Sequence, residues 1–82
     1  MKFLDVTVIS SGKVFYEGRA QSVIVPGEEG VFQIHPFHKA IVSRLLPGMV
    51  YVDGESFPIL HGIVRSDQNK VTALIEPANQ AV

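Results

Sequence analysis

The apolar residues of this chain alternate, and none of them recur at helical spacing over three turns. Leu4, Val6 and Val8 interleave with Asp5 and Thr7, the period-2 pattern of a strand that buries one face. Ser10-Ser11-Gly12 breaks that run. Val14-Phe15-Tyr16, then Gly18 and a β-branched stretch ending at Val25, follow as a second and third strand that Pro26-Gly27 should close. Val31 to Ile34 reads as a short strand. Ala40 to Leu46 also reads as one, although Ile41, Val42, Leu45 and Leu46 fit helical spacing as well. Pro47-Gly48 is a turn dipeptide and Met49 to Val52 a strand, and Asp53-Gly54 ahead of Ser56 to Leu60 is a strong hairpin signal. Ile63-Val64 and Val71 to Ile75 flank Asp67-Gln68-Asn69-Lys70 as a last hairpin before Pro77. The pattern predicts an all-β fold, a flattened β-sandwich of about ten short strands.

Length confines that fold to one core. A chain of 82 residues buries only about 60 to 65% of its unfolded surface, too little for two cores. The expected organisation is one sandwich domain over residues 1–76 and a short polar tail over 77–82. Hydrophobic residues form 46% of the chain and charged residues 18%, a balance that supports folding and argues against disorder. Seven Lys and Arg against eight Asp and Glu give a formal charge of -1. With no basic run, the usual electrostatic basis for nucleic-acid binding is absent. Cysteine is absent too, which rules out disulfides and thiolate chemistry and suits a reducing compartment. No apolar run approaches the roughly 20 residues of a membrane helix. Met1-Lys2-Phe3 leads straight into the first strand, which leaves no room for a signal peptide.

Few residues offer chemistry. His35, His38 and His61 could form a three-imidazole metal site if the fold gathered them, but such sites also need carboxylates behind the imidazoles. The nearest acids in sequence lie in the turn at Glu28 and Glu29, so polar loop histidines at a partner surface are the simpler expectation. No serine sits in a nucleophile elbow, and no catalytic residue is expected. Gly27-Glu28-Glu29-Gly30 lacks the lysine and following helix of a phosphate loop, and its two carboxylates would repel phosphate. An acidic turn at a sandwich tip suits contact with basic or amide-rich loops of a partner.

Taken in order, the motifs resemble the epsilon subunit of F-type ATP synthases. Leu4-Asp5-Val6-Thr7-Val8-Ile9 leading to Tyr16-Glu17-Gly18 is similar to the family's first strands. Val23-Ile24-Val25-Pro26-Gly27-Glu28-Glu29-Gly30-Val31-Phe32-Gln33-Ile34-His35-Pro36-Phe37-His38 resembles, without a gap, the family's V-V-V-P-G-x-E-G-x-F-x-V-L-P-x-H. Leu45-Leu46-Pro47-Gly48 and Asn69-Lys70-Val71-Thr72 resemble two later segments. The pattern is broken in three places: Phe37 replaces a glycine, His61-Gly62-Ile63 replaces Gly-Gly-Phe, and Ser10-Ser11 replaces Thr-Pro. A position that tolerates positive φ as glycine is costly for Phe.

The resemblance implies a non-catalytic central-stalk subunit of a proton- or sodium-translocating synthase, joining the gamma subunit to the membrane rotor ring. Ser10, His38 and Ser43 match gamma-facing positions, and Glu28, Glu29, Gly30 and Val31 match the ring-facing turn. No metal or other cofactor is implied. Its expected place is peripheral, held through the complex at the cytoplasmic face of the bacterial inner membrane or the stromal side of a thylakoid. The family's C-terminal helical hairpin has no counterpart after Ile75, so the inhibition exerted by that hairpin is not expected of this chain. Two other functions compete: a free-standing sandwich that takes a peptide on an exposed edge strand, and a histidine-metal enzyme.

Overall fold

The computed structural model describes residues 2–78, and every regular element among them is a strand. In chain order these are β1 (Leu4–Ser10), β2 (Lys13–Ala20), β3 (Val23–Gly27), β4 (Gly30–Ile34), β5 (Ile41–Leu45), β6 (Gly48–Val52), β7 (Glu55–Asp67) and β8 (Lys70–Pro77). The alternation read from the sequence holds inside them. Leu4, Val6 and Val8 of β1, Val23 and Val25 of β3 and Val71, Ala73 and Ile75 of β8 are buried, while the residues between them face outward or lie half-buried. Valine dominates because a β-branched side chain loses little rotamer freedom on a pleated surface.

One layer has the strand order β2-β1-β8-β7-β5. β1 and β8 run parallel, and the remaining pairs are antiparallel. The facing layer contains β4, β3 and β6, with β6 paired to both β3 and the first part of β7. β7 is therefore shared: Glu55 to Ile59 pair with β6, and Gly62 to Ser66 pair with β5. Two inward-facing surfaces enclose one core.

Eight strands, fewer than the ten expected, follow from that sharing. Ser56 to Leu60 and Ile63-Val64 are one strand because the irregularity between Ile59 and His61 is a bulge, and β8 keeps pairing on both sides of it, at Ile59↔Pro77 and His61↔Glu76. Pro26-Gly27 does not close β3 either. Both residues lie within the strand, and the turn falls one step later at Glu28-Glu29, between the paired Gly27 and Gly30. Pro26 costs the ladder a donor, but its carbonyl accepts the Leu46 N–H at 2.8 Å. At the C-terminal side, β8 takes in Pro77, and the Ala78 N–H donates to the Pro58 carbonyl at 3.0 Å. Residues 79–82 of the expected tail lie outside the described residues.

The hairpins fall where turn residues indicate. Val52↔Glu55 encloses Asp53-Gly54, and Asp67↔Lys70 encloses Gln68-Asn69. Gln68 and Asn69 both take positive φ, 50° and 64°, the twist that matches a right-handed hairpin. Phe37 also takes positive φ, 70°, as its replacement of a glycine leads one to expect.

Candidate partner interface

The β3–β4 hairpin ends in Glu28 and Glu29, both exposed. Gly30 leaves the turn at φ 125°, a region an L side chain rarely adopts. Val31 follows on the solvent side of β4 and is 73% exposed. From β4 the chain crosses to β5 through residues 35–40. There the His38 N–H donates to the His35 carbonyl at 3.1 Å, and the His38 ring Nδ1 lies 2.8 Å from the Lys39 carbonyl. The ring is thus turned back along its own loop.

β5 touches β3 at a single pair, Leu45↔Gly27, and diverges from it beyond that point. The divergence opens a cleft between the hairpin tip and β5. Glu28, Glu29, Gly30 and Val31 form one wall, with His38, Ser43, Arg44 and Ile63 around the rest. Ser43 donates its hydroxyl to the Arg44 carbonyl at 3.0 Å. Arg44 reaches over the tip to Glu28 with an N···O distance of 3.8 Å. Both side chains are more than half exposed, so this pair contributes little to stability and chiefly reduces the charge of one carboxylate.

The structure therefore brings together two expected gamma-facing residues, His38 and Ser43, with the complete expected ring-facing turn. Ser10 is elsewhere. It ends β1, separated from β5 by β8 and β7, or about 14 Å at three strand spacings. The outer face of the strands between them carries an apolar row. Val14 pairs with Ile9, Ile9 with Leu74, and Leu74 with Ile63, and Val14, Ile63 and Leu74 are about half exposed. This band crosses four strands and enters the cleft at Ile63. The sequence pattern missed the band, because alternation shows which residues face outward in each strand but not which of them share a row across strands.

His35 shares the turn of His38, and His61 stands apart from that loop. His61 lies on β7 opposite Glu76, and among the described residues no group of three or more His, Cys, Asp or Glu is arranged to hold a metal ion. The three-imidazole arrangement is not formed.

Residues 3–81 match the family described as ATP synthase, Delta/Epsilon chain, beta-sandwich domain. The chain belongs to that family. An ATP synthase epsilon chain of a Nitratiruptor species is 36% identical over 83 residues, which cover 95% of this chain and 64% of the relative. The Leptospira interrogans epsilon chain is 38% identical over 77 residues, covering 89% of this chain and 61% of the relative. The chain thus spans less than two thirds of the length of these epsilon relatives. Among solved structures, the fold is similar to one chain of the Euglena gracilis mitochondrial ATP synthase OSCP/F1/c-ring, with TM-score 0.81, 16% identity and coverage of 89% of this chain and 50% of that one. It is also similar to a chain of the Tetrahymena thermophila mitochondrial ATP synthase central stalk/c-ring, with TM-score 0.73, 17% identity and coverage of 92% and 64%. Both likenesses extend the family's sandwich fold to distant sequences.

Proposed function

We propose that this sandwich is a non-catalytic part of the central stalk of an F-type ATP synthase, joining the gamma subunit to the membrane rotor ring and so helping to couple ion flow to ATP synthesis. The observation that carries this reading is the cleft between the β3–β4 tip and β5, where His38 and Ser43 stand beside Glu28, Glu29, Gly30 and Val31. A subunit that joins two partners needs their contacts close together on rigid elements, and here both sets rest on paired strands and one tight loop. In this reading gamma covers the outer row of Ile9, Leu74 and Ile63, which meets β5 at Arg44, and reaches Ser43 and His38 in the cleft and Ser10 at the end of β1. The acidic tip meets the polar loops of the ring. Half-exposed aliphatics suit a protein interface core, and exposed carboxylates suit its rim. The work is done by surface complementarity, with no bond made or broken. The site of action is peripheral, at the cytoplasmic face of the membrane.

Co-purification tests the reading. Tagged chain expressed in its own cells is expected to bring down gamma and the ring subunits in fixed ratio. Recovery of neither partner would overturn the proposal. Charge reversal at His38→Glu is expected to weaken association with gamma while leaving the fold intact.

A further inference from the structure

We infer that Phe37 is an anchor residue that enters an apolar pocket on gamma, and that its strained backbone is retained for this contact; the inference rests on the central-stalk reading above. Phe37 takes φ 70° and is 73% exposed. The other non-glycine residues with positive φ are Ser11, Asp53, Gln68 and Asn69. Each of these is small or polar and sits in a tight hairpin turn, where that backbone is needed for strand twist. Phe37 sits instead in the loop between β4 and β5, where a left-handed backbone crowds its Cβ against the following carbonyl. A bulky residue there is an outlier.

The surrounding structure imposes the conformation. The Phe37 N–H donates to Asn69 Oδ1 at 2.6 Å, and Asn69 is itself fixed by its own carbonyl, which accepts the Asp5 N–H at 2.8 Å. One residue on, the His38 N–H closes the turn onto the His35 carbonyl. The loop is thus held at both sides, yet the ring it presents covers no core. Strain maintained at an exposed aromatic points to a use outside the chain, and aromatic anchors are the side chains that most often dominate an interface.

Position selects the partner. Phe37 stands at the Ile41 end of β5, against the β7–β8 turn, and the acidic tip stands at the Leu45 end, which pairs with Gly27. These ends are about 13 Å apart along the strand, so Phe37 and the carboxylates stand at opposite ends of β5. The neighbouring residue is His38, which lines the cleft with both Ser43 and the tip and which, with Ser43, the central-stalk reading gives to gamma. The same protein that covers those two reaches Phe37 next.

Calorimetric titration of the full chain with gamma from the same organism, alongside thermal unfolding, tests the inference with the parent, Phe37→Gly and Phe37→Asn. Both substitutions suit a left-handed backbone. The expected result is a Tm equal to the parent or a few degrees higher, together with about tenfold weaker binding to gamma. Parent-like affinity in both variants overturns the anchor and leaves the central-stalk reading standing. A Tm several degrees lower in both assigns Phe37 to the fold and also overturns the anchor. Failure of the parent to bind gamma overturns both. Parent binding to lipid vesicles that both variants lose, with gamma binding unchanged, would replace gamma by a membrane surface and overturn the proposal.

Discussion

Asp53 and Ser22 exchange hydrogen bonds: the Asp53 N–H donates to the Ser22 carbonyl at 3.2 Å, and the Ser22 N–H donates to Asp53 Oδ1 at 3.1 Å. The same carboxylate accepts the Gln21 N–H at 3.0 and 3.2 Å. One side chain in the β6–β7 turn therefore satisfies the corner between β2 and β3, where the chain passes from one layer to the other. Hydrogen bonds to a charged acceptor contribute more than neutral ones. Asp53→Ala should lower stability by about 1 to 3 kcal/mol, read as a shift of the urea midpoint with little change in slope.

Gly62 is fixed by proximity. A Cβ built there would lie 2.5 Å from the Leu74 carbonyl and 3.2 Å from the Ile75 Cα, and both are backbone atoms of the paired strand. Gly62→Ala must push β7 and β8 apart, at a cost of about 1 to 3 kcal/mol typical of overpacking. Gly54 meets nothing within 4 Å. Gly54→Ala should therefore be near neutral, and thermal unfolding of the two variants side by side separates crowding from a general effect of losing glycine.

Tyr16 makes stability pH-dependent on the alkaline side. Its hydroxyl donates to the Arg19 carbonyl at 2.9 Å. Burial first, then the carboxylates of Asp53 and Glu55, raise its pKa above the usual value of 10.0. A raised folded-state pKa gives stability that is fully present below the unfolded value and is lost as pH rises through the folded one. The unfolded chain ionises first, from about pH 10 upward. Tyr16→Phe should lose less stability than the parent between about pH 9 and 11, measured by urea unfolding at each pH. Equal losses would place the alkaline sensitivity elsewhere.

The legible part of this fold is what neighbouring residues dictate. Alternation at Leu4, Val6 and Val8 and turn chemistry at Asp53-Gly54 and Gln68-Asn69 act over a few residues, and the strands and hairpins stand where they indicate. Leu60 reads as a strand end in the sequence although the strand continues through it, because a bulge and a turn look alike until the partner strand is known. The Asp53 contacts with Gln21 and Ser22 join residues more than 30 positions apart, and nothing local announces them. The cleft is similar. Glu28, His38 and Ser43 each stand out singly, by likeness to a family, but that they surround one space follows from the divergence of β5 from β3 after one pair. Ser10 carried the same expectation and lies three strands away.

The two carboxylates of the tip should not be equivalent. Glu28 has Arg44 at 3.8 Å, which offsets part of its charge, whereas Glu29 has no ion pair among the described residues. If the tip meets the ring, Glu29 presents the larger uncompensated charge. Glu29→Gln should therefore weaken ring association more than Glu28→Gln does, each by less than about fivefold because exposed charges contribute at most about 1 kcal/mol. Arg44→Ala removes the offset and should strengthen association slightly at low salt. All three effects should shrink as ionic strength rises from about 0.05 to 0.5 M, where the screening length falls well below the width of the tip. Neither glutamate supports the fold, so urea midpoints should stay within about 0.5 kcal/mol of the parent. Binding of the gamma-bound chain to purified ring at two salt concentrations measures this order. Equal effects of the two glutamates, unchanged by salt, would show that the tip is solvated surface and that the ring contact lies on another part of the sandwich.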